Sequence, residues 1–217
     1  MTLNKNDKAY WSHYYENQKA PEIPSPFALE VHSEYCKPRF VKKSIEFGFG
    51  NGRDLKYFTN SLETTDGIEL APGAASLISE SLPISSTVVE GSFTDMNLFK
   101  ENEGTYDMVY SRFTLHSVDK EAETLALKNA NRLLQKGGLL AIEARTIYDD
   151  FCGKGEKISD NEWIYEDHYR RFLDPGDTAC AVQEAGFKIE SLTVSDQFAP
   201  YKDQAPVCLR LIARKIA

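Results

Sequence analysis

Short apolar runs alternate with amphipathic stretches through most of this chain, and the alternation reads as strand followed by helix. Ser44–Phe47 is a buried-looking strand that runs into a loop with glycine at alternate positions, and a helix begins near Arg53. Residues 64–70 form a second strand ending at Glu69 or Leu70, followed by a short helix over Pro72–Ser81. Residues 86–91 and 105–113 supply strands three and four. Asp119–Gln135 is the clearest amphipathic helix, with Leu125, Ala126, Leu133 and Leu134 on one side and the pair Gly137-Gly138 expected to stop it. Residues 139–145 are the fifth strand.

Single helices between strands predict βαβ units and a doubly wound, mostly parallel sheet of the α/β class. The end differs. A helix at about Pro175–Glu184 leads through Gly186 into two consecutive strands, 187–196 and 205–215, which predict a terminal antiparallel hairpin. Ahead of the first strand, Tyr10, Trp11, Tyr14 and Tyr15 recur at near-helical spacing and predict a short helix with an aromatic face over 5–19. Pro21, Pro24 and Pro26 make a rigid connector, and Pro26 can open a helix to about Tyr35. Residues 147–171 are long, polar and aromatic and match no element, so a functional loop acting as a lid is expected there.

The chain has 217 residues, 41% hydrophobic and 27% charged, which suits one ordinary globular domain. No stretch approaches the roughly 18 apolar residues that span a bilayer, and the start of the chain lacks the apolar core of a secretion signal. A cytoplasmic protein is expected. Cys36, Cys152, Cys180 and Cys208 are scattered without a CxxC pair, as for reduced thiols. The four histidines show no ligand spacing, so no metal is expected. A net charge of −8 argues against nucleic acid or an anionic membrane as partner.

The glycines face a choice of cofactor. A dinucleotide loop reads GxGxxG, and its third glycine lets the helix pack closely on the strand. Here the spacing is Gly48, Gly50, Gly52, with Arg53 where that third glycine would stand. Glu46, two residues before the first glycine, would repel a pyrophosphate. It suits a cationic ligand instead, and S-adenosylmethionine carries an ammonium and a sulfonium and no phosphate. Glu69, at the end of strand two, can accept both hydroxyls of a ribose and fits either cofactor. An adenine would lie at Ser92 and Phe93, after strand three.

The ordered set ExGxGxG, an acid ending strand two, Glu90-Gly91-Ser92-Phe93, YDMVYSRFTLHSV and LLQKGGLLAIEA resembles the class I S-adenosylmethionine-dependent methyltransferases over about residues 40–145, and again in the final hairpin. The resemblance implies a Rossmann-like seven-stranded sheet with its last strand inserted antiparallel. It places Glu46, Gly48, Gly50 and Gly52 around the methionyl part, Glu69 at the ribose, and Ser92 and Phe93 beside the adenine, with Leu70 and Ser111 as further cofactor-binding residues. The family commonly has aspartate where this chain has Ser92, so the adenine contact is expected to be weaker or to come from Asp95. The organisation implied is a single domain over 1–217: a helical cap (1–40), a cofactor-binding core (41–146), an acceptor-side lid (147–171), and a C-terminal helix and hairpin (172–217).

Methyl transfer is an in-line displacement that depends on positioning, with a base needed only for a protonated nucleophile. His116, just past strand four, is a candidate base, or a residue that orders its loop or touches cofactor. Arg112 is an ion-pair partner or a substrate contact. Tyr15, Arg145, Lys154, His168, Tyr169, Arg170 and Arg171 are the remaining candidates for the acceptor. The arginines suit an anionic group, unless the neighbouring acids make this a solvated face. RTIYDDFCGKGEK, DHYRRF and the N-terminal aromatic segment also resemble a bacterial subgroup linked to surface polysaccharide and phosphate capping. That implies a small anionic acceptor, phosphate, phosphoramidate or carboxylate, with a neutral sugar hydroxyl or an amine as the alternative. A non-catalytic S-adenosylmethionine-binding or scaffold protein stays open, and a monomer or homodimer is expected.

Overall fold

Five strands run parallel from one end of a single sheet: β1 (Lys43–Phe47), β2 (Thr64–Glu69), β3 (Val88–Glu90), β4 (Tyr106–Arg112) and β5 (Leu134–Arg145). The computed structural model describes residues 21–71, 73–79, 81–166, 168–201 and 204–216. The aromatic helix expected at 5–19, with Tyr15, lies outside them. Three further strands, β6 (Glu156–Ser159), β7 (Glu162–Tyr165) and β8 (His168–Arg171), form a separate small sheet, and β9 (Phe187–Ser195) and β10 (Cys208–Lys215) complete the large one. Its order is β3-β2-β1-β4-β5-β10-β9, with β10 antiparallel to both its neighbours. This is the doubly wound sheet with a terminal hairpin that the sequence predicts.

Side-chain alternation sends the strands into two apolar layers. On one face Ile45, Phe47, Val109 and Ile142 pack against Ala126, Leu127, Ala130 and Leu133 of a helix at Lys120–Leu133. On the other, Met108, Tyr110, Leu139 and Ala141 meet Phe27, Ala28 and Val31 from a helix over 26–39, and Phe58 from one at Arg53–Ser61. In chain order the helices are α1 (26–39), α2 (Arg53–Ser61), α3 (Ala74–Ser79), α4 (Lys120–Leu133) and α5 (Pro175–Glu184). Ser25 caps α1 by accepting from the Ala28 amide, and Pro26 occupies its first turn. The middle of α1, Val31–Cys36, is π-helical. Pro38 lacks the N–H an α-turn needs there, and the Lys37 amide reaches back to the His32 carbonyl.

Two expectations are corrected. Gly137-Gly138 does not stop the preceding helix, which ends at Leu133; the pair lies inside β5. Gly137 has φ +75°, and pairing with β4 jumps from Tyr106↔Leu134 to Met108↔Leu139, so the glycines form a bulge. Residues 147–171 are not a structureless loop either. Their last part is the β6-β7-β8 meander, in which Gly155 (φ +88°) is required because a Cβ there would meet the Ile164 carbonyl oxygen at 2.1 Å. Strands this short show too little alternation to stand out in sequence. The meander joins the large sheet where the Leu173 amide donates to the Arg145 carbonyl at 3.0 Å. No helix among the described residues is long and apolar enough to cross a membrane, and no group of possible metal ligands occurs among them.

Candidate active site

The C-terminal ends of β1, β2, β4 and β5 open onto a cleft of about 560 Å³, the edge at which doubly wound sheets bind ligands. β1 delivers Glu46 and the glycine loop, β2 delivers Glu69 and Leu70, and β4 delivers Arg112 and the turn that follows it. Arg145 enters from β5, His168 and Arg170 from β8, and Tyr201 and Gln204 from the β9–β10 connection.

The glycine loop is held by the strand beside it. The Gly48 amide donates to the Ile68 carbonyl at 2.7 Å, and the Gly50 amide donates to Glu69 Oε2 at 2.8 Å. Glu69 Oε1 accepts from the Ala71 amide at 2.9 Å. Burial raises the Glu69 pKa, and these amides oppose that rise. Glu69 therefore fixes the loop as well as lining the cleft. Glycine is demanded at 48 twice over: φ is +68°, and an added Cβ would stand 2.3 Å from Thr114 Cγ2. Gly52 (φ +73°) caps α2 and does not line the cleft.

Glu46 is 3% exposed, and its Oε2 has no hydrogen-bond partner among the described residues. Burial, then Asp54, raises its pKa well above the ordinary range, while Arg112 and Arg53 pull the other way. Asp54 is committed elsewhere, accepting from the Ser25 amide (2.6 Å), Ser25 Oγ (2.7 Å) and Tyr110 Oη (2.9 Å), which bolts α1 to the site. Arg53 is only loosely tied, with Nε 4.0 Å from Asp54 Oδ1.

Ser92 and Phe93 line the far end. Phe93 stacks on Phe47 with ring centres 5.8 Å apart, and its carbonyl accepts from Asn129 Nδ2 at 2.8 Å. Ser92 Oγ is engaged by the Thr94 hydroxyl at 2.7 Å. Asp95 is exposed and accepts from the Asn97 amide and side chain, so it closes its own turn and does not reach the cleft. Ser111 lies just behind the surface, its hydroxyl bonded to that of Thr114, which does line the cleft.

On the opposite wall stand Arg112, Phe113, Arg145 and Arg170, and Phe151, which does not line the cleft, lies against two of these arginines. Arg112 lies 4.3 Å from the Phe113 ring centre; Arg145 lies 5.9 Å from Phe113 and 5.0 Å from Phe151; Arg170 lies 5.8 Å from Phe151. Phe113 adopts φ +55°, a costly conformation for a bulky residue, and one often kept at functional sites. Asp149 grips Arg145 Nη1 with both oxygens, at 3.0 and 2.8 Å, and Glu143 takes Arg112 Nε at 2.7 Å. His116 stands beside this wall, edge-on to Phe113. Burial first, then Arg145, His168 and Arg170, lower its pKa well below the ordinary value, so the imidazole is neutral at pH 7. Its Nδ1 has no partner among the described residues.

The sequence candidates thus divide. Arg112, His116, Arg145, His168 and Arg170 come together in the cleft, while Lys154, Tyr169 and Arg171 do not line it. Period-2 alternation in β8 turns His168 and Arg170 one way and Tyr169 and Arg171 the other. Lys154 is exposed, its Nζ 4.9 Å from the Phe151 ring centre. Sequence reasoning missed Arg53, Phe113, Tyr201 and Gln204. Arg53 was visible only as a departure from a dinucleotide loop, and the last two sit in the break between the two terminal strands.

Comparison with known proteins bears on this geometry. Residues 45–142 match the family described as "Methyltransferase domain". An uncharacterised methyltransferase of Bacillus cytotoxicus is 28% identical over 144 residues, spanning 64% of this chain and 66% of that protein, so the chain spans about two thirds of the curated relatives it matches. A 1,6-didemethyltoxoflavin-N1-methyltransferase of Burkholderia thailandensis, solved with its substrate and S-adenosylhomocysteine, superposes with a TM-score of 0.71 at 16% identity, covering 98% of this chain and 88% of that one. The cyclase SpnF shares the fold with a TM-score of 0.61 at 13% identity, covering 82% and 75%. The glycine loop and much of the cleft lie on the strands that the family match spans, and the chain has the Rossmann-like fold of the class I methyltransferases.

Proposed function

We propose that the chain transfers a methyl group from S-adenosylmethionine to a small acceptor bearing an anionic oxygen, of the phosphate, phosphoramidate or carboxylate kind. The observation that carries this reading is the wall of Arg112, Phe113, Arg145 and Arg170 beside a histidine held neutral.

The cleft fits the cofactor. The unpartnered Oε2 of Glu46 is a buried acceptor in want of a cation, and the methionine ammonium supplies one. Arg53, at the N-terminal end of α2, suits the carboxylate on the same tail. Glu69 keeps lone pairs beyond its two amides for ribose hydroxyls, and Leu70 and Phe93 give apolar walls at the purine end. When bound, the cofactor supplies an activated methyl group on a cationic sulfur. Arg112 and Arg145, pre-set by Glu143 and Asp149, then draw in and orient an oxyanion with little ordering left to do. An anionic oxygen is nucleophilic without losing a proton. A histidine with so low a pKa is a weak base, so His116 is assigned to shaping and positioning.

A neutral hydroxyl or amine acceptor, with His116 as base, is favoured by one observation: the buried, unpartnered Nδ1. Placement in surface-polysaccharide synthesis rests on the sequence resemblance alone. SpnF shows that this fold does not by itself fix the chemistry. The test is incubation with labelled S-adenosylmethionine and a panel of sugar phosphates, phosphoramidates, carboxylates, neutral sugars and amines, read by mass spectrometry. Label confined to anionic acceptors, with a raised KM in Arg170→Gln, is expected. Label confined to neutral acceptors, lost at neutral pH in His116→Ala, would replace this reading with the second. Cofactor binding without transfer to any of them would leave a binding protein.

A further inference from the structure

We infer that Arg171 is a positioning residue: it does not face the acceptor, and it ties the turn bearing His116 to the strand bearing His168 and Arg170. Arg171 is 7% exposed, and three elements meet on its guanidinium. Nε donates to the Val118 carbonyl at 2.8 Å, Nη2 donates to the Leu115 carbonyl at 3.3 Å, and Nη2 stands 3.0 Å from Glu123 Oε2. Those carbonyls bracket the short 3₁₀ turn Leu115–Ser117, with His116 at its centre. Glu123 is fully buried in the first turn of α4. One planar fork therefore joins β8, the His116 turn and α4, and an ammonium cannot reproduce that geometry.

Neighbours in sequence thus have separate tasks. Arg170 lines the cleft, and Arg171, on the other face of the same strand, sets how far Arg170 and His168 stand from His116. The glycine loop is outside this clamp, which makes the acceptor half of the cleft a unit distinct from the cofactor half. That these residues serve the acceptor rests on the function proposed above; the clamp itself does not.

The test compares the full-length wild type with Arg171→Met, Arg171→Lys and Glu123→Gln. Hydrogen–deuterium exchange is expected to rise together in peptides covering 113–119 and 162–171, by about ten-fold or more for Arg171→Met, and to stay unchanged at 48–52. NMR signals of the His116 imidazole should move, and its pKa should rise toward the ordinary value. The S-adenosylmethionine Kd should stay within about two-fold by calorimetry, and Arg171→Lys should not restore the His116 signals. Exchange that rises in β8 alone, with the His116 signals unmoved, would overturn the inference. Should Arg171→Met fail to fold, Glu123→Gln decides, because it keeps the side-chain size and removes only the charged anchor; unmoved His116 signals there overturn the inference equally. Failure of the acceptor reading looks different: Arg170→Gln would transfer label at wild-type KM while the coupled exchange persisted.

Discussion

Arg112 and Glu143 face each other in register across β4 and β5, with Nε 2.7 Å from Oε1. Arg210 stands in the same row on β10 and gives its Nε to the other oxygen of Glu143, also at 2.7 Å. Glu30 of α1 pairs with Arg210 and ends the row. A charge row thus crosses three strands behind the cleft and fixes the orientation of Arg112. Glu143→Gln takes the ion-pair partner from the buried Arg112 guanidinium and leaves Arg210 with Glu30 alone, and the expected loss is about 3–5 kcal/mol in urea denaturation. The exposed Lys42–Glu63 pair is the control, and Glu63→Gln should leave the denaturation midpoint nearly unmoved, because solvent screens that pair. Equal losses in the two variants would remove the row from the account of stability.

That row also marks the limit of the sequence. The strand–helix alternation, the acid before the glycines and the acid ending strand two were legible because each rests on local spacing. Glu143 and Arg210 are 67 residues apart, and only the antiparallel insertion of β10 brings them together. Arg170 and Arg171 looked interchangeable until β8 existed as a strand, because only a strand sends adjacent side chains to opposite faces. Gly137-Gly138 misled for a related reason: a glycine pair after a helical stretch has the same local signature as a bulge.

Gly48 and Thr114 offer a test that separates strain from collision. Gly48→Ala places a methyl group 2.3 Å from Thr114 Cγ2 and holds it at φ +68°. Thr114→Ser removes the colliding carbon and keeps the hydroxyl bonded to Ser111. The double variant should regain most of the lost stability and cofactor affinity, leaving a deficit of about 1–2 kcal/mol for the left-handed alanine. No regain at all would mean that the collision is relieved by other movements of the loop.

His168 gives the fold a pH dependence of known sign. Burial first, then Arg170, pushes its pKa down to about 3, and His116 is lowered in the same direction. In the unfolded chain both titrate near the ordinary value of about 6.5. Between those limits the unfolded chain binds protons that the folded chain refuses. Stability is therefore full above about pH 6.5 and falls as the pH drops, by up to roughly 1.4 kcal/mol per pH unit for each histidine. Denaturation midpoints between about pH 6.5 and 5, above most carboxylate titration, should fall more steeply for the wild type than for His168→Gln. Parallel slopes would show that His168 keeps a near-ordinary pKa in the folded chain.

Glu46 is expected to link cofactor binding to a proton. Its carboxyl is buried and its pKa raised, so it holds a proton further up the pH scale than a surface glutamate. An ammonium placed at Oε2 favours the ionised form, and binding then releases the proton. The enthalpy of S-adenosylmethionine binding should therefore vary with the ionisation enthalpy of the buffer, in the direction of proton release, and affinity should rise with pH. In Glu46→Gln that dependence should vanish, with affinity about ten- to a hundred-fold weaker, as for loss of a charge-assisted hydrogen bond. 5′-Methylthioadenosine lacks the amino-acid tail and should bind wild type and variant alike. Arg53→Gln should show the same selectivity between the two ligands without removing the proton release, because its guanidinium is assigned to the tail's carboxylate. A wild type whose binding enthalpy ignores the buffer would mean that Arg53 and Arg112 already hold Glu46 ionised, and that the ammonium meets an existing charge.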